Sequence, residues 1–118
     1  MKKILICEDE KDAQKTLEQI LRRRNYQVAC VDNGQDAIVQ TKEFSPDLIL
    51  LDIRMPKIDG LEVARQIRSF NKLVKIIFIS AFASPEIERE AAQFDICDYL
   101  VKPVSNEDIL KKIESCFK

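Results

Sequence analysis

Short apolar runs alternate along this chain with longer stretches in which apolar residues recur every three or four positions. Ile4-Leu5-Ile6-Cys7, Leu48-Ile49-Leu50-Leu51 and Ile76-Ile77-Phe78-Ile79 are continuous, as expected of strands buried on both faces. Val28-Ala29-Cys30-Val31 is a weaker run and Tyr99-Leu100-Val101 a short one. Between the runs, Ala13, Leu17, Ile20 and Leu21 share one face of a helix over residues 12–24. Ala37, Ile38 and Thr41 mark a second helix, opened by Asn33-Gly34 and stopped by Pro46. Leu61, Ala64 and Ile67 mark a third. Ser84-Pro85 supplies a cap and a first-turn proline for a fourth, with Ile87, Ala91 and Phe94 inward. Ser105-Asn106-Glu107-Asp108 has capping-box form and opens a fifth, carrying Ile109, Leu110, Ile113, Cys116 and Phe117.

Strict alternation of strand and helix predicts an α/β fold, a doubly wound five-stranded parallel sheet with right-handed crossovers. The second strand is the most mixed and suits an edge, which gives the order 2-1-3-4-5. No repeat, low-complexity segment or linker interrupts the 118 residues. The expectation is one domain over residues 1–118, with no output domain attached.

Composition narrows the function classes. Hydrophobic residues at 46% and charged residues at 33% fit a folded chain rather than a disordered one. A net charge of −1 leaves no electrostatic footprint for nucleic acid. No run approaches the roughly 20 apolar residues that span a bilayer. Glu8, Asp9 and Glu10 cut the N-terminal apolar run too short for a signal peptide. Without histidine, His-based acid–base catalysis is excluded, and Cys7, Cys30, Cys97 and Cys116 lack zinc-site spacing. Each cysteine reads as a small buried hydrophobe, and dispersed thiols suit a reducing cytoplasm.

The predicted carboxyl ends of the strands collect the chemistry. The first ends in Glu8-Asp9-Glu10, the third in Asp52, the fourth in Ser80-Ala81 and the fifth in Lys102-Pro103. Taken singly, an acidic run suits a helix N-terminus, Lys-Pro suits a turn and Asp52 a cap. Taken together, they put carboxylates, a hydroxyl and a lysine on one edge of the sheet. Glu8, Asp9 and Asp52 in proximity would repel one another unless a divalent cation joined them, and all-oxygen ligands suggest Mg2+. Aspartate also serves as a nucleophile toward phosphoryl groups. Lys102, the Ser80 hydroxyl and the backbone N–H groups of Ile53 and Ala81 could neutralise the transferred charge.

These residues, with the segment Asp52-Ile53-Arg54-Met55-Pro56-Lys57-Ile58-Asp59-Gly60 and Tyr99-Leu100-Val101-Lys102-Pro103, resemble the receiver domain of two-component response regulators over essentially the whole chain. The resemblance implies a flavodoxin-like, chemotaxis-receiver-like (βα)5 fold and a cytoplasmic phosphorelay protein rather than an enzyme with a metabolite substrate. It implies that Asp52 accepts a phosphoryl group from a sensor histidine kinase or a histidine phosphotransfer protein. Asp9, Asp52 and the Arg54 carbonyl would bind magnesium, with Glu8 assisting. Lys102 would pair with the phosphoryl group, Ser80 and Tyr99 would act as switch residues, and the Lys102–Pro103 bond would be cis. The kinase, the downstream target and any dimerisation on phosphorylation are not legible.

Departures from the family pattern are Glu8 for the commoner Asp, Ser80 for threonine, and Asp95-Ile96 where Gly-Ala is usual. Arg54 and Phe82 occupy the two variable positions that tune phosphoryl lifetime in the family. Phe82 offers nothing to orient an attacking water, so slow autodephosphorylation is expected. Three alternatives stand beside this reading. A haloacid-dehalogenase-like phosphatase wants an acid where Arg54 stands. A flavodoxin-like cofactor binder wants a glycine-rich loop, and this chain has only Gly34 and Gly60. The third is a receiver-shaped interaction module that is never phosphorylated.

Overall fold

The structure, a computed structural model, describes residues 1–82 and 84–118. Its elements are β1 (Lys3–Cys7), α1 (Lys11–Arg23), β2 (Gln27–Val31), α2 (Gly34–Phe44), β3 (Leu48–Asp52), α3 (Gly60–Phe70), β4 (Lys75–Ser80), α4 (Pro85–Ala92), β5 (Asp98–Val101) and α5 (Asn106–Cys116). The five strands are all parallel, in the order β2-β1-β3-β4-β5, as the alternation predicted.

Side chains leave a strand alternately to its two faces, so each continuous run supplies two cores. Ile4 and Ile6, Leu48 and Leu50, and Ile77 and Ile79 pack with Leu17 and Leu21 of α1 and Ile109 and Ile113 of α5. Leu5, Ile49, Leu51, Ile76 and Phe78 pack on the other face with α2, α3 and Ala91 of α4. Only helices on both faces can bury such runs, which is why β1, β3 and β4 occupy the middle.

The helix starts follow the local chemistry. Asn33, Asp59, Ser84 and Ser105 each cap a helix, their side-chain oxygens accepting a backbone N–H from the first turn. Glu10 does the same for α1, accepting from the N–H groups of Asp12 and Ala13 at 3.1 and 2.8 Å. The acidic run after β1 is therefore divided: Glu10 serves the helix, and Glu8 and Asp9 are left for other work. Asp95, standing where the family usually has glycine, adopts the left-handed conformation with φ 56°.

Three expectations need correction. Ala13 is exposed, because the first turn of α1 lies beyond the sheet edge and lines a groove shared with Pro103 and Val104. Phe94 packs inward, but α4 ends at Ala92, before it. The cysteines are not four equivalent buried thiols: Cys97 and Cys116 form a disulfide, and Cys97 is exposed. The sequence separation of 19 gave no hint of it, since only the packing of α5 beneath β5 brings the two residues to a Cα–Cα distance of 6.2 Å. Cys7 is buried and Cys30 half-buried, both as free thiols.

Candidate functional site

Asp52 is the last residue of β3 and is only 6% exposed, so its carboxylate is set at the mouth of the core. Both oxygens are held. Oδ1 accepts the Arg54 N–H at 2.9 Å and Oδ2 accepts from Lys102 Nζ at 2.8 Å. The same ammonium donates to Glu8 Oε1 at 2.9 Å. Burial alone would lower the Lys102 pKa, but the two carboxylates outweigh it and hold the group above the ordinary lysine value. The Lys102 N–H donates to Ser80 O at 2.7 Å, which ties the end of β5 to the end of β4; the peptide bond to Pro103 is cis.

Carboxylate oxygens of Glu8, Asp9 and Asp52 come within 4.8 Å of one another. Two oxygens on one magnesium ion lie about 2.9–4.1 Å apart, from octahedral bonds of about 2.0–2.1 Å. Small side-chain rotations would therefore let the three share an ion. Three formal negative charges face one lysine, a deficit that a divalent cation matches. The acidic cluster fits magnesium by donor type, spacing and charge.

The other predicted residues flank Asp52. Ile53 is buried directly after β3, and Ala81 is exposed directly after β4. Ser80 is fully buried at the end of β4, its Oγ accepting the Phe82 N–H at 3.1 Å. Tyr99, in β5 opposite Phe78, donates its hydroxyl to Phe82 O at 2.7 Å, and its ring lies 6.1 Å from that of Phe78. Tyr99 thus touches the same loop as Ser80. Partial burial raises its phenol pKa, so the hydroxyl remains a donor at neutral pH.

Two features were not foreseen. The Arg54 guanidinium lies on the Phe82 ring, 3.8 Å from its centroid, joining the two variable positions in one stack beside Asp52. Gly60 donates its N–H to Ile53 O at 2.8 Å and so closes the loop after Asp52. A Cβ at Gly60 would meet Asp52 O at 2.6 Å and Ile53 Cα at 2.7 Å. The Asp59-Gly60 pair in the sequence was the available signal, but the close approach it serves is tertiary.

Comparisons with known proteins point to one family. The family model described as the response regulator receiver domain matches residues 4–114. Chemotaxis protein CheY of Treponema pallidum is 35% identical over 98% of this chain and 83% of its own length. Transcriptional regulatory protein ResD of Bacillus subtilis is also 35% identical over 98% of this chain, which spans about half (48%) of that protein. The response regulator TrrA of Thermotoga maritima, solved in complex with Mg(2+)-BeF, is 31% identical with a TM-score of 0.86, covering 98% of this chain and 99% of that one. Neither the phosphatase nor the cofactor-binder alternative is favoured. The chain belongs to the response regulator receiver domain family of two-component signalling.

Proposed function

We propose that residues 1–118 form one receiver domain in which Asp52 is the phosphoryl acceptor. A carboxylate oxygen of Asp52 attacks the phosphorus of a phosphohistidine on a kinase or phosphotransfer protein; the P–N bond breaks and its electron pair leaves with the imidazole. The observation that carries this reading is the Asp52 carboxylate, buried yet open to the strand-end edge, and gripped by Lys102 and the Arg54 N–H.

Glu8, Asp9, Asp52 and the Arg54 carbonyl would hold Mg2+, which when bound neutralises charge on the phosphoryl oxygens. Lys102 moves from Asp52 Oδ2 to the incoming phosphoryl oxygens, keeping its contact with Glu8. The N–H groups of Ile53 and Ala81 complete the donor set. Ser80 gives up the Phe82 N–H and turns its hydroxyl to the phosphoryl group. That change breaks the loop geometry that holds Tyr99 to Phe82 O, so the ring moves inward and the α4–β5–α5 face changes. The domain catalyses its own phosphorylation and dephosphorylation and turns over no metabolite. Its setting is the cytoplasm, where a sensor kinase presents its phosphohistidine.

The test is incubation with magnesium and acetyl phosphate, followed by intact mass. Wild type should gain one phosphoryl mass and Asp52→Asn should not. Absence of the gain in wild type, together with failure to bind beryllofluoride, would overturn the reading in favour of the unphosphorylated module.

A further inference from the structure

The Cys97–Cys116 bond joins the amino end of β5 to the carboxyl end of α5, at the opposite end of the strands from Asp52. Cys97 immediately precedes β5 and is exposed, whereas Cys116 is the last residue of α5 and is 93% withdrawn from solvent (7% exposed). The bond encloses a segment that contains β5, Tyr99, Lys102, Pro103 and nearly all of α5.

Cys97 also lines a cleft of about 180 Å3 with Arg68, Lys72, Lys75 and Asp95. Arg68 is fixed there, donating Nε to Phe94 O at 2.7 Å and Nη2 to Asp95 O at 3.1 Å, so it braces the turn that leads into Cys97. Lys72 Nζ lies on Arg68 O at 3.0 Å. Three cations against one carboxylate give the cleft a net positive lining. A positive, accessible surrounding favours a thiolate and attracts an anionic one.

We propose that Cys97–Cys116 is a reversible redox site, opened by a small anionic thiol received in the cationic cleft beside Cys97. The incoming thiolate attacks Cys97 Sγ and forms a mixed disulfide; the bond to Cys116 breaks, and the Cys116 thiolate takes a proton because its burial disfavours charge. A second thiol attacks the outer sulfur of the mixed disulfide, leaving Cys97 reduced and releasing the oxidised small disulfide. Two small thiols are thereby oxidised and one protein disulfide is reduced. The opened pair frees the last turn of α5 from the edge strand. Lys112 of α5 still pairs with Asp98 of β5 at 2.9 Å, while the end of the helix stays seated elsewhere through Ile113 in the core, Glu114 at 3.9 Å from Arg24, and Phe117 against Tyr26.

The test uses the full chain, oxidised in air, with thiols counted after denaturation. The expectation is two reactive thiols, Cys7 and Cys30, rising to all four cysteines on reduction. Reduction is then timed with glutathione and with uncharged 2-mercaptoethanol. Replacing the two exposed lysines (Lys72→Gln with Lys75→Gln) should slow glutathione by at least about fivefold and 2-mercaptoethanol by less than about twofold. Amide exchange in the last turn of α5 should rise by at least about tenfold on reduction. Four thiols in the air-oxidised protein would overturn the proposal. So would equal slowing of both thiols, unchanged exchange in α5, or reduction by a protein dithiol where glutathione is inert.

Discussion

Gly60→Ala tests the link between packing and the site most directly. The added methyl would sit 2.6 Å from Asp52 O and 2.7 Å from Ile53 Cα, against a practical limit of 3.0 Å. Both neighbours are backbone, so the strand end itself must shift by about 0.4 Å or α3 must lift away. Overpacking of this kind costs about 1–3 kcal/mol. Alanine regains at most about 1 kcal/mol of helix propensity, and less at the first helical position than in the interior. The net expectation is a loss of about 1–2 kcal/mol. That corresponds to a urea midpoint lower by about 1 M with an unchanged slope. The displaced atoms belong to the backbone of Asp52 and Ile53, so beryllofluoride binding in magnesium should weaken as well. Gly34→Ala is the internal comparison. Its added methyl would meet the side-chain atoms Ile58 Cγ1 and Val63 Cγ2, both at 2.6 Å, as well as Ile58 O at 2.8 Å. Two of those three neighbours are side-chain atoms, which can give without moving the β3 backbone, so the cost should be smaller and beryllofluoride binding should hold. A Gly60→Ala protein as stable as wild type, with full mimic binding, would refute the reasoning.

Two further predictions concern the site. Phe82→Glu removes the ring under the Arg54 guanidinium and places a carboxylate where it can orient water, so the phosphorylated form should decay at least about tenfold faster, read by loss of the phosphoryl mass with time. A decay no faster than wild type would count against the slow-turnover assignment. Lys102 has a folded-state pKa raised above the ordinary lysine value of 10.5, so its contribution to stability is fully present below that pH and is lost as pH rises through the folded value. Urea midpoints for wild type and Lys102→Met should therefore converge on the alkaline side; a gap that is constant with pH would contradict the ion-pair account.

Much of the site was legible because strand ends are local features of the sequence. An apolar run long enough to cross the core must end at its edge, and Glu8, Asp52, Ser80 and Lys102 each stand where such a run stops. Parallel pairing then gathers those ends on one side without further information. The caps were legible for the same reason, since Ser84 and Ser105 act on N–H groups three residues away.

By itself, then, the sequence determined the alternation of elements, the two-faced burial of β1, β3 and β4, and the kinds of group at the sheet edge. These follow from periodicity and from bonds between residues close along the chain. Tertiary structure alone decided which groups meet across it. Glu10 turned to its own helix while Glu8 turned to Lys102, 94 positions away. Arg54 lay down on Phe82, Gly60 took a place with no room for a methyl, and Cys97 found Cys116. Each of these depends on how helices settle on the sheet to within an ångström or so, a quantity set by the packing of the whole core rather than by any short stretch of sequence.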